Sequence, residues 1–350
     1  MALLREVDPG EVGRAERVKP TERRPPRGFL FRPDGSREDI PIRGCVARLA
    51  SSSSFLYADF HAPNEEELEG LQREFHFHPL AIEDVRTRHQ RPKIDIYGDQ
   101  YFLVFYRIGS SAAHDGDWVL QEIDFFIGPN FLITTHDSEV PILDQVLDRF
   151  SRSEGKKDVS GLLYDMLDTI VDEYFDFLDD IGERSGKLEE EIFERYEPTH
   201  LERLLDLKQD LVRLRQVVAP GRDAVNVLLR RDPPVLDTAR IPYFQDIYDH
   251  LIRVADSIDT YRELATGLLD ALLSIQNNRL SEQNNRLSEV VKKLTVISII
   301  FLPLNFVTGF WGMNFEATSG RSYGWFFAAL TTMALIPSLV VFFLRRRGIE

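Results

Sequence analysis

The chain has 350 residues, 43% of them hydrophobic, which is enough for one sizeable or two modest packed domains and excludes a disordered tail. Its formal net charge of −15 argues against nucleic acid as a partner, because an acidic body repels phosphates and attracts cations; the alternative is a solvated acidic surface kept for solubility. The single cysteine, Cys45, cannot form an internal disulfide and favours a reducing, cytoplasmic compartment.

The first part of the chain is predicted to be an α/β domain. Residues 1–24 are rich in Arg, Glu and Pro and are typical of a flexible N-terminal arm. The cytoplasmic α/β domain follows at residues 25–158. Its β-branched and aromatic runs predict strands at 55–60, 100–108, 118–127 and 130–137, and its amphipathic stretches predict helices at 64–75 and 140–150.

Long helices are predicted next. Apolar residues recur at spacings of three and four from residue 159 onward, which indicates paired long cytoplasmic helices over 159–237, ended by the two prolines of DPPVLD. One helix of roughly 70 residues is then predicted to run through the first membrane span, and its cytoplasmic part, residues 238–293, is termed the stalk. A helix of this length needs partners to bury its apolar stripe, so we expect a symmetric oligomer.

The stalk contains a tandem repeat, because QNNRLSE occurs at 276–282 and again at 283–289. Seven residues are nearly two helical turns, so the duplication keeps Leu280 and Leu287 on one face within about 20° and adds about 10 Å to the helix. We interpret the repeat as a tolerated extension of the helix. The alternative is a change in the coupling between the cytoplasmic body and the membrane part.

Two membrane spans are predicted at the C-terminal end. Residues 294–315 and 322–344 carry no charge, and each run can cross a hydrocarbon core of about 30 Å. Residues 316–321 form the outer loop and residues 345–350 a cytoplasmic tail. Lys292 and Lys293 precede the first span and three arginines follow the second, which predicts a multi-pass protein of the inner (plasma) membrane, surrounded by lipid, with both termini cytoplasmic.

The tripeptide Gly312-Met313-Asn314 closes the first charge-free span and precedes the short loop. In this position it resembles the signature of the CorA family of magnesium transporters. The resemblance extends through FHPLAIEDVRTRHQRPKIDIYGDQYFLVFY (77–106), PYFQDIYDH (242–250), GLLDALL (267–273) and KKLTVISIIFLPLNFVTGFWGMNFE (292–316). The chain departs from the family at the duplicated heptad and at Asn305, where threonine is expected.

The resemblance implies a funnel-shaped homopentamer whose membrane helices surround a pore for Mg²⁺, with Co²⁺ or Ni²⁺ as further ions. The selectivity filter would be Gly312, Met313 and Asn314, because a neutral amide oxygen suits an ion that keeps its water. Stepping back along the helix gives the predicted pore-lining residues Gly309, Asn305, Leu302, Ser298, Leu294 and Val291. Asp270, in the stalk, would add a ring that collects cations near the inner mouth.

Passive influx needs no energy-coupling motif, since an inside-negative potential of about 100 mV favours entry of a dication by about 4.6 kcal/mol.

Influx must also be stopped, and the resemblance implies regulatory metal sites between neighbouring cytoplasmic domains. The matching positions are Glu83, Asp84, Asp168, Asp246 and His250. Carboxylates that face each other repel until a divalent ion bridges them, so filled sites are expected to hold the pore shut.

Two other functions stay open at this point. One is a zinc transporter of the same architecture, coupled or not to protons, and the other is a non-transporting membrane metal sensor. The chain has neither a G-x-x-x-x-G-K-[ST] phosphate loop nor an H-E-x-x-H motif, so no energy-coupling motif is recognised. An enzyme is not expected, because no Ser-His-Asp or Cys-His arrangement can be argued from the spacing. His76 and His78 are interpreted as structural, since an H-x-H spacing without further ligands is weak support for zinc.

Overall fold

The computed structural model describes residues 23–42, 44–49, 54–110, 118–195, 197–230, 236–312 and 323–346. The chain divides into two compact units, Met1–Leu269 and Asp270–Glu350. Most of the predicted N-terminal arm, the predicted outer loop at 316–321 and the last four residues of the predicted tail lie outside the described residues.

A seven-stranded sheet organises the first unit. Its strands are β1 (Arg27–Phe31), β2 (Arg37–Ile40), β3 (Phe55–His61), β4 (Lys93–Tyr97), β5 (Gln100–Ser110), β6 (Trp118–Gly128) and β7 (Phe131–His136). They are ordered β2-β1-β3-β7-β6-β5-β4, with β3 and β7 parallel and the other neighbouring pairs antiparallel. The parallel pair lies in the middle of the sheet, and both strands are buried along their whole length. The predicted α/β class is confirmed.

Four shorter helices accompany the sheet: α1 (Cys45–Leu49), α2 (Glu65–Phe75), α3 (Pro79–Thr87) and α4 (Pro141–Arg152). Helix α3 starts with Pro79 in its first turn, and the Nδ1 atom of His78 accepts the N–H of Leu80. The ring of His78 also stacks on Tyr97, with 4.3 Å between the ring centroids. His78 therefore has a structural role, as the sequence predicts.

Two long helices follow, α5 (Val159–Glu194) and α6 (Thr199–Arg230). The apolar stripe of α5 runs from Leu162 to Tyr174 at spacings of three and four and is buried. Two polar contacts also hold α5 against the sheet. Arg107 of β5 donates to Glu173 at 2.6 Å, and the Tyr174 hydroxyl donates to the carbonyl of Tyr106. These contacts fix the position of the helix that carries Asp168.

The last two helices are α7 (Ile241–Gly312) and α8 (Tyr323–Arg346). Helix α7 is continuous over 72 residues, and Pro303 lies inside it without ending it. Within the described residues, the helix that spans Thr238–Phe310 contains an apolar segment long enough to cross a membrane. Helix α8 contains a shorter apolar stretch, Phe326–Val340. The predicted spans at 294–315 and 322–344 fall on these two helices wherever the structure describes them.

Candidate metal centre and exposed helix face

Three predicted metal ligands come together in the first unit. Asp246 and His250 lie one turn apart on α7, with 3.5 Å between Asp246 Oδ2 and His250 Nε2. Asp168 on α5 completes the group, and the three ligand atoms all lie within 4.8 Å of one another. Among the residues that the structure describes, this is the one group of three or more His, Cys, Asp or Glu side chains that could share a metal ion.

Aromatic contacts align α5 with α7 at this group. The ring of Tyr164 meets the rings of Tyr243 and Phe244 edge-on, with centroid distances of 5.2 and 6.2 Å. Nearly two turns further along α7, Phe175 of α5 meets the His250 ring edge-on at 5.7 Å. The metal-ligand side chains are therefore held between two sets of ring contacts, which fix the relative height of the two helices.

The electrostatics of the group favour a bound cation. Burial raises the pKa of Asp168, and the negative charges of Asp172 and Asp246 raise it further, while His250 opposes them. Burial and the negative charges of Asp168, Asp246 and Asp165 raise the pKa of Tyr164 to about 12. A divalent ion would relieve this concentration of negative charge. The Asp172 contribution was missed from the sequence, although its spacing of four residues from Asp168 on one helix is a visible signal.

The donor set fits a divalent metal ion. The group offers two carboxylates and one imidazole, and the buried Nδ1 atom of His250 has no hydrogen-bond partner. Carboxylate oxygens suit Mg²⁺, whereas an imidazole nitrogen suits borderline ions such as Co²⁺, Ni²⁺ and Zn²⁺. The side chains of this group can therefore hold a divalent ion while leaving coordination positions to water or to another chain.

The other two predicted regulatory ligands do not join this group. Glu83 and Asp84 lie on α3, where Glu83 is exposed. Asp84 accepts from the Lys93 ammonium at 2.7 Å, so its charge is already balanced within the chain. Their role as metal ligands stays a prediction.

The predicted pore-lining residues share an exposed face of α7 in the second unit. Val291, Leu294, Ser298, Leu302, Asn305 and Gly309 are exposed, as is Asp270. Val296 and Ile300 on the other side of the helix are half-buried, and Val307 is buried. At about 100° per residue, Val296 and Asn305 lie about 180° apart around the helix. The predicted pore face is thus opposite to the shielded face.

Two further features belong to this face. A shallow groove of about 260 Å³ is lined by Leu294, Thr295, Ser298, Ile299 and Leu302. At Gly309 an added Cβ would meet no atom within 4 Å, so nothing within this chain crowds the face there. Of the predicted filter, Gly312 is the last residue of α7, and Met313 and Asn314 lie outside the described residues.

A group of side chains that could hold a metal ion, together with a helix long and apolar enough to cross a membrane, is what a membrane protein that handles metal ions requires. The family model described as CorA-like Mg²⁺ transporter protein matches residues 52–346. The chain belongs to this family, whose members are transporters and not enzymes.

Individual relatives agree with this assignment. The cobalt/magnesium transport protein CorA of Thermotoga maritima is 33% identical over 277 residues, which cover 78% of this chain and 77% of that protein. The zinc transport protein ZntB of Enterobacter sp. (strain 638) is 23% identical over 246 residues, 70% of this chain and 72% of that protein. The complete structure of the CorA magnesium transporter from Methanocaldococcus jannaschii matches with a TM-score of 0.66 at 20% identity, over 92% of this chain and 98% of that one. This structural likeness shows the fold.

Proposed function

We propose that the chain forms a channel for passive influx of divalent cations, with Mg²⁺ as the main ion and Co²⁺ and Ni²⁺ as further ions. The observation that carries the proposal is the exposed face of α7 from Val291 to Gly309, which mixes small, polar and apolar residues in a chain of the CorA-like family. Such a face suits a water-filled passage between copies of the helix. Leu294 and Leu302 would act as hydrophobic constrictions.

The proposed filter is formed by Gly312, Met313 and Asn314 of each copy. Mg²⁺ gives up its water reluctantly, so a ring of neutral Asn314 amide oxygens would hold the hydrated ion without trapping it. The membrane potential would supply the driving force, about 2.3 kcal/mol per charge at 100 mV. The lysines that precede the first span and the arginines that follow the second support an orientation with both termini on the cytoplasmic side of the plasma membrane.

Gating is proposed to depend on divalent ions bound between copies of the chain. The group of Asp168, Asp246 and His250 leaves coordination positions open, and Glu83 and Asp84 of a neighbouring copy are candidates to fill them. Without an ion, the carboxylates repel one another, and with an ion they are bridged. A homopentamer is the assembly that the family resemblance favours.

The decisive experiment is Mg²⁺ flux into vesicles that contain the full chain, with internal Mg²⁺ varied. Flux is expected when internal Mg²⁺ is low and is expected to stop as internal Mg²⁺ rises. Asn314→Ala, in a protein that still assembles, is expected to lose the flux. An inactive wild-type chain would contradict the proposal and favour a membrane sensor that binds metal without transporting it.

A zinc transporter is the second candidate. The imidazole of His250 in the donor set favours Zn²⁺ over Mg²⁺ at that position, and a relative of this chain is a zinc transport protein. The same vesicles separate the two functions. Zn²⁺ uptake that responds to a pH gradient, without Mg²⁺ uptake, would favour the zinc transporter.

A further inference from the structure

Two columns of residues repeat every seven positions along the exposed part of α7 in the second unit. The first column is Leu273, Leu280, Leu287 and Leu294, which are 49%, 54%, 62% and 63% exposed. The second column is Asp270, Asn277, Asn284 and Val291, and it continues to Ser298 and Asn305 on the predicted pore face; all are exposed. The tandem QNNRLSE repeat therefore adds one member to each column without interrupting either.

The spacing indicates what covers these columns. In bundled helices with a seven-residue pattern, residues at the first and fourth positions form the seam, and Asn284 and Leu287 have this spacing. In parallel copies of the chain, identical residues lie at the same level along the bundle axis. Each leucine of the first column then packs against the same leucine of the neighbouring copy. The drift of about 20° per heptad is taken up by a left-handed supercoil. Further copies of this chain are therefore the occupants of the face.

The polar column indicates that water lies on the axis of this bundle. If the column closed into a dry core, Asp270 would bury a carboxylate and Asn277 and Asn284 would bury amides, which costs several kcal/mol for the charge alone. Rings of these side chains around a water-filled axis avoid that penalty. The rings then present oxygen ligands to the axis, and oxygen ligands suit a hydrated Mg²⁺ ion.

We infer that the tandem repeat forms a binding site for hydrated divalent cations on the stalk axis, made of Asn277 and Asn284 of every copy. The two rings are about 10 Å apart and lie between the Asp270 and Val291 rings. This inference rests on the proposed function and extends it to a segment that the family resemblance does not include. The duplication then acts on the ion path as well as on the length of the helix.

The chain supplies a matched control, because Asn277 and Asn284 are each followed by a second Asn, about 100° further around the helix. In the full chain carrying Cys45→Ala and treated with a mild thiol oxidant, Asn284→Cys is expected to form disulfides between copies. Cd²⁺ is also expected to protect this cysteine from alkylation. Asn285→Cys is expected to show neither effect. Equal behaviour at the two positions, or neither effect at position 284, overturns the inference.

Ion flux provides a second readout. Asn277→Leu with Asn284→Leu is expected to lower Mg²⁺ flux into vesicles about tenfold, and Asn278→Leu with Asn285→Leu to keep it within about twofold. Unchanged flux in the first pair, with the assembly intact, overturns the inference. If the unmodified chain carries no flux, the proposed function fails. Cd²⁺ protection then still decides whether the rings exist, since it requires no transport.

Discussion

Asp246 and His250 are paired one turn apart on α7, and Asp168 reaches the same point from α5, so that the three ligand atoms lie within 4.8 Å of one another. The pair follows directly from helix geometry, whereas the third ligand depends on the packing of two helices that are distant in sequence. The arrangement of these three side chains is therefore coupled to the packing of α5 on α7.

Asp246→Asn removes one of the two carboxylates of the group. It is expected to weaken the protection that Mg²⁺ gives the full chain against proteolysis, raising the concentration for half-protection about tenfold. Asp249→Asn is the matched control, because Asp249 is exposed on the same helix and accepts from Gln245 outside the group. An unchanged Mg²⁺ dependence in Asp246→Asn would remove this residue from the gating mechanism.

His250→Asn replaces the imidazole ligand by an amide. Because imidazole favours borderline metals, protection by Co²⁺ or Ni²⁺ is expected to weaken about tenfold, and protection by Mg²⁺ about threefold or less. The comparison uses proteolysis of the same full chain across metal titrations. A uniform loss for all three ions would mean that His250 supports the packing against Phe175 and does not bind metal.

Asp59 connects β3, β7 and β1 in the core of the sheet. Burial alone would raise its pKa, but hydrogen bonds from His136, Thr134 and Arg27 lower the pKa to about 2. The carboxylate therefore stabilises the fold above about pH 4, and this contribution is lost as the pH falls through the folded pKa. At about 1.4 kcal/mol per pKa unit, Asp59→Asn is expected to reduce the free energy of unfolding by about 2 kcal/mol at neutral pH.

The pH dependence separates this effect from a general loss of packing. The difference between Asp59→Asn and the wild type, measured by denaturant unfolding of the full chain in detergent, is expected to shrink between about pH 4 and pH 2. Asp39→Asn on β2 is the control, because the Asp39 side chain is 78% exposed. A difference that stays constant with pH contradicts the assignment to the charged form.

Arg88 and Asp124 form a salt bridge with side chains that are 10% and 0% exposed. Burial raises the pKa of Asp124 to about 7, against the opposing charge of Arg88. Arg88→Met leaves this carboxyl group buried without its partner and is expected to destabilise the fold by about 3–5 kcal/mol. Arg88→Met combined with Asp124→Asn is expected to recover much of the loss. Denaturant midpoints of the single and double variants provide the measurement, and additive losses would contradict the coupling.

The strongest apolar patterns in the sequence predicted the structure well. The four predicted strands and the two predicted helices of the first unit are present, within two residues at their ends. Three strands were missed. Strands β2 and β4 are sheet edges, where REDI and KIDIY need only a partly apolar face. Strand β1, RGFLF, has only five residues and directly follows the Arg- and Pro-rich start of the chain. Helix α3 was missed because its short PLAIEDVRT segment follows two histidines and begins with a proline.

The candidate site was predictable only in part. The spacing of Asp246 and His250 places them on one helix face, but their approach to Asp168 came from the family resemblance and not from any local pattern. The pairing of Asp84 with Lys93 depends on how α3 packs beside β4, and the distance between these two side chains cannot be read from the sequence. The predicted pore face combined two sources, because the resemblance supplied the Gly-Met-Asn starting point and helical periodicity gave the residues behind it. The structure places these residues within one continuous helix, and their role in a pore stays a prediction.

The number of QNNRLSE copies sets the length of the stalk part of α7. Loss of one copy, or gain of a third, shifts everything beyond it by about 10 Å and rotates it by only about 20°, whereas an insertion of two residues would rotate it by about 200°. Whole heptads therefore change the length of the helix while nearly preserving the orientation of its faces. A series of chains with one, two and three copies would vary the length of the stalk at a nearly constant helix face.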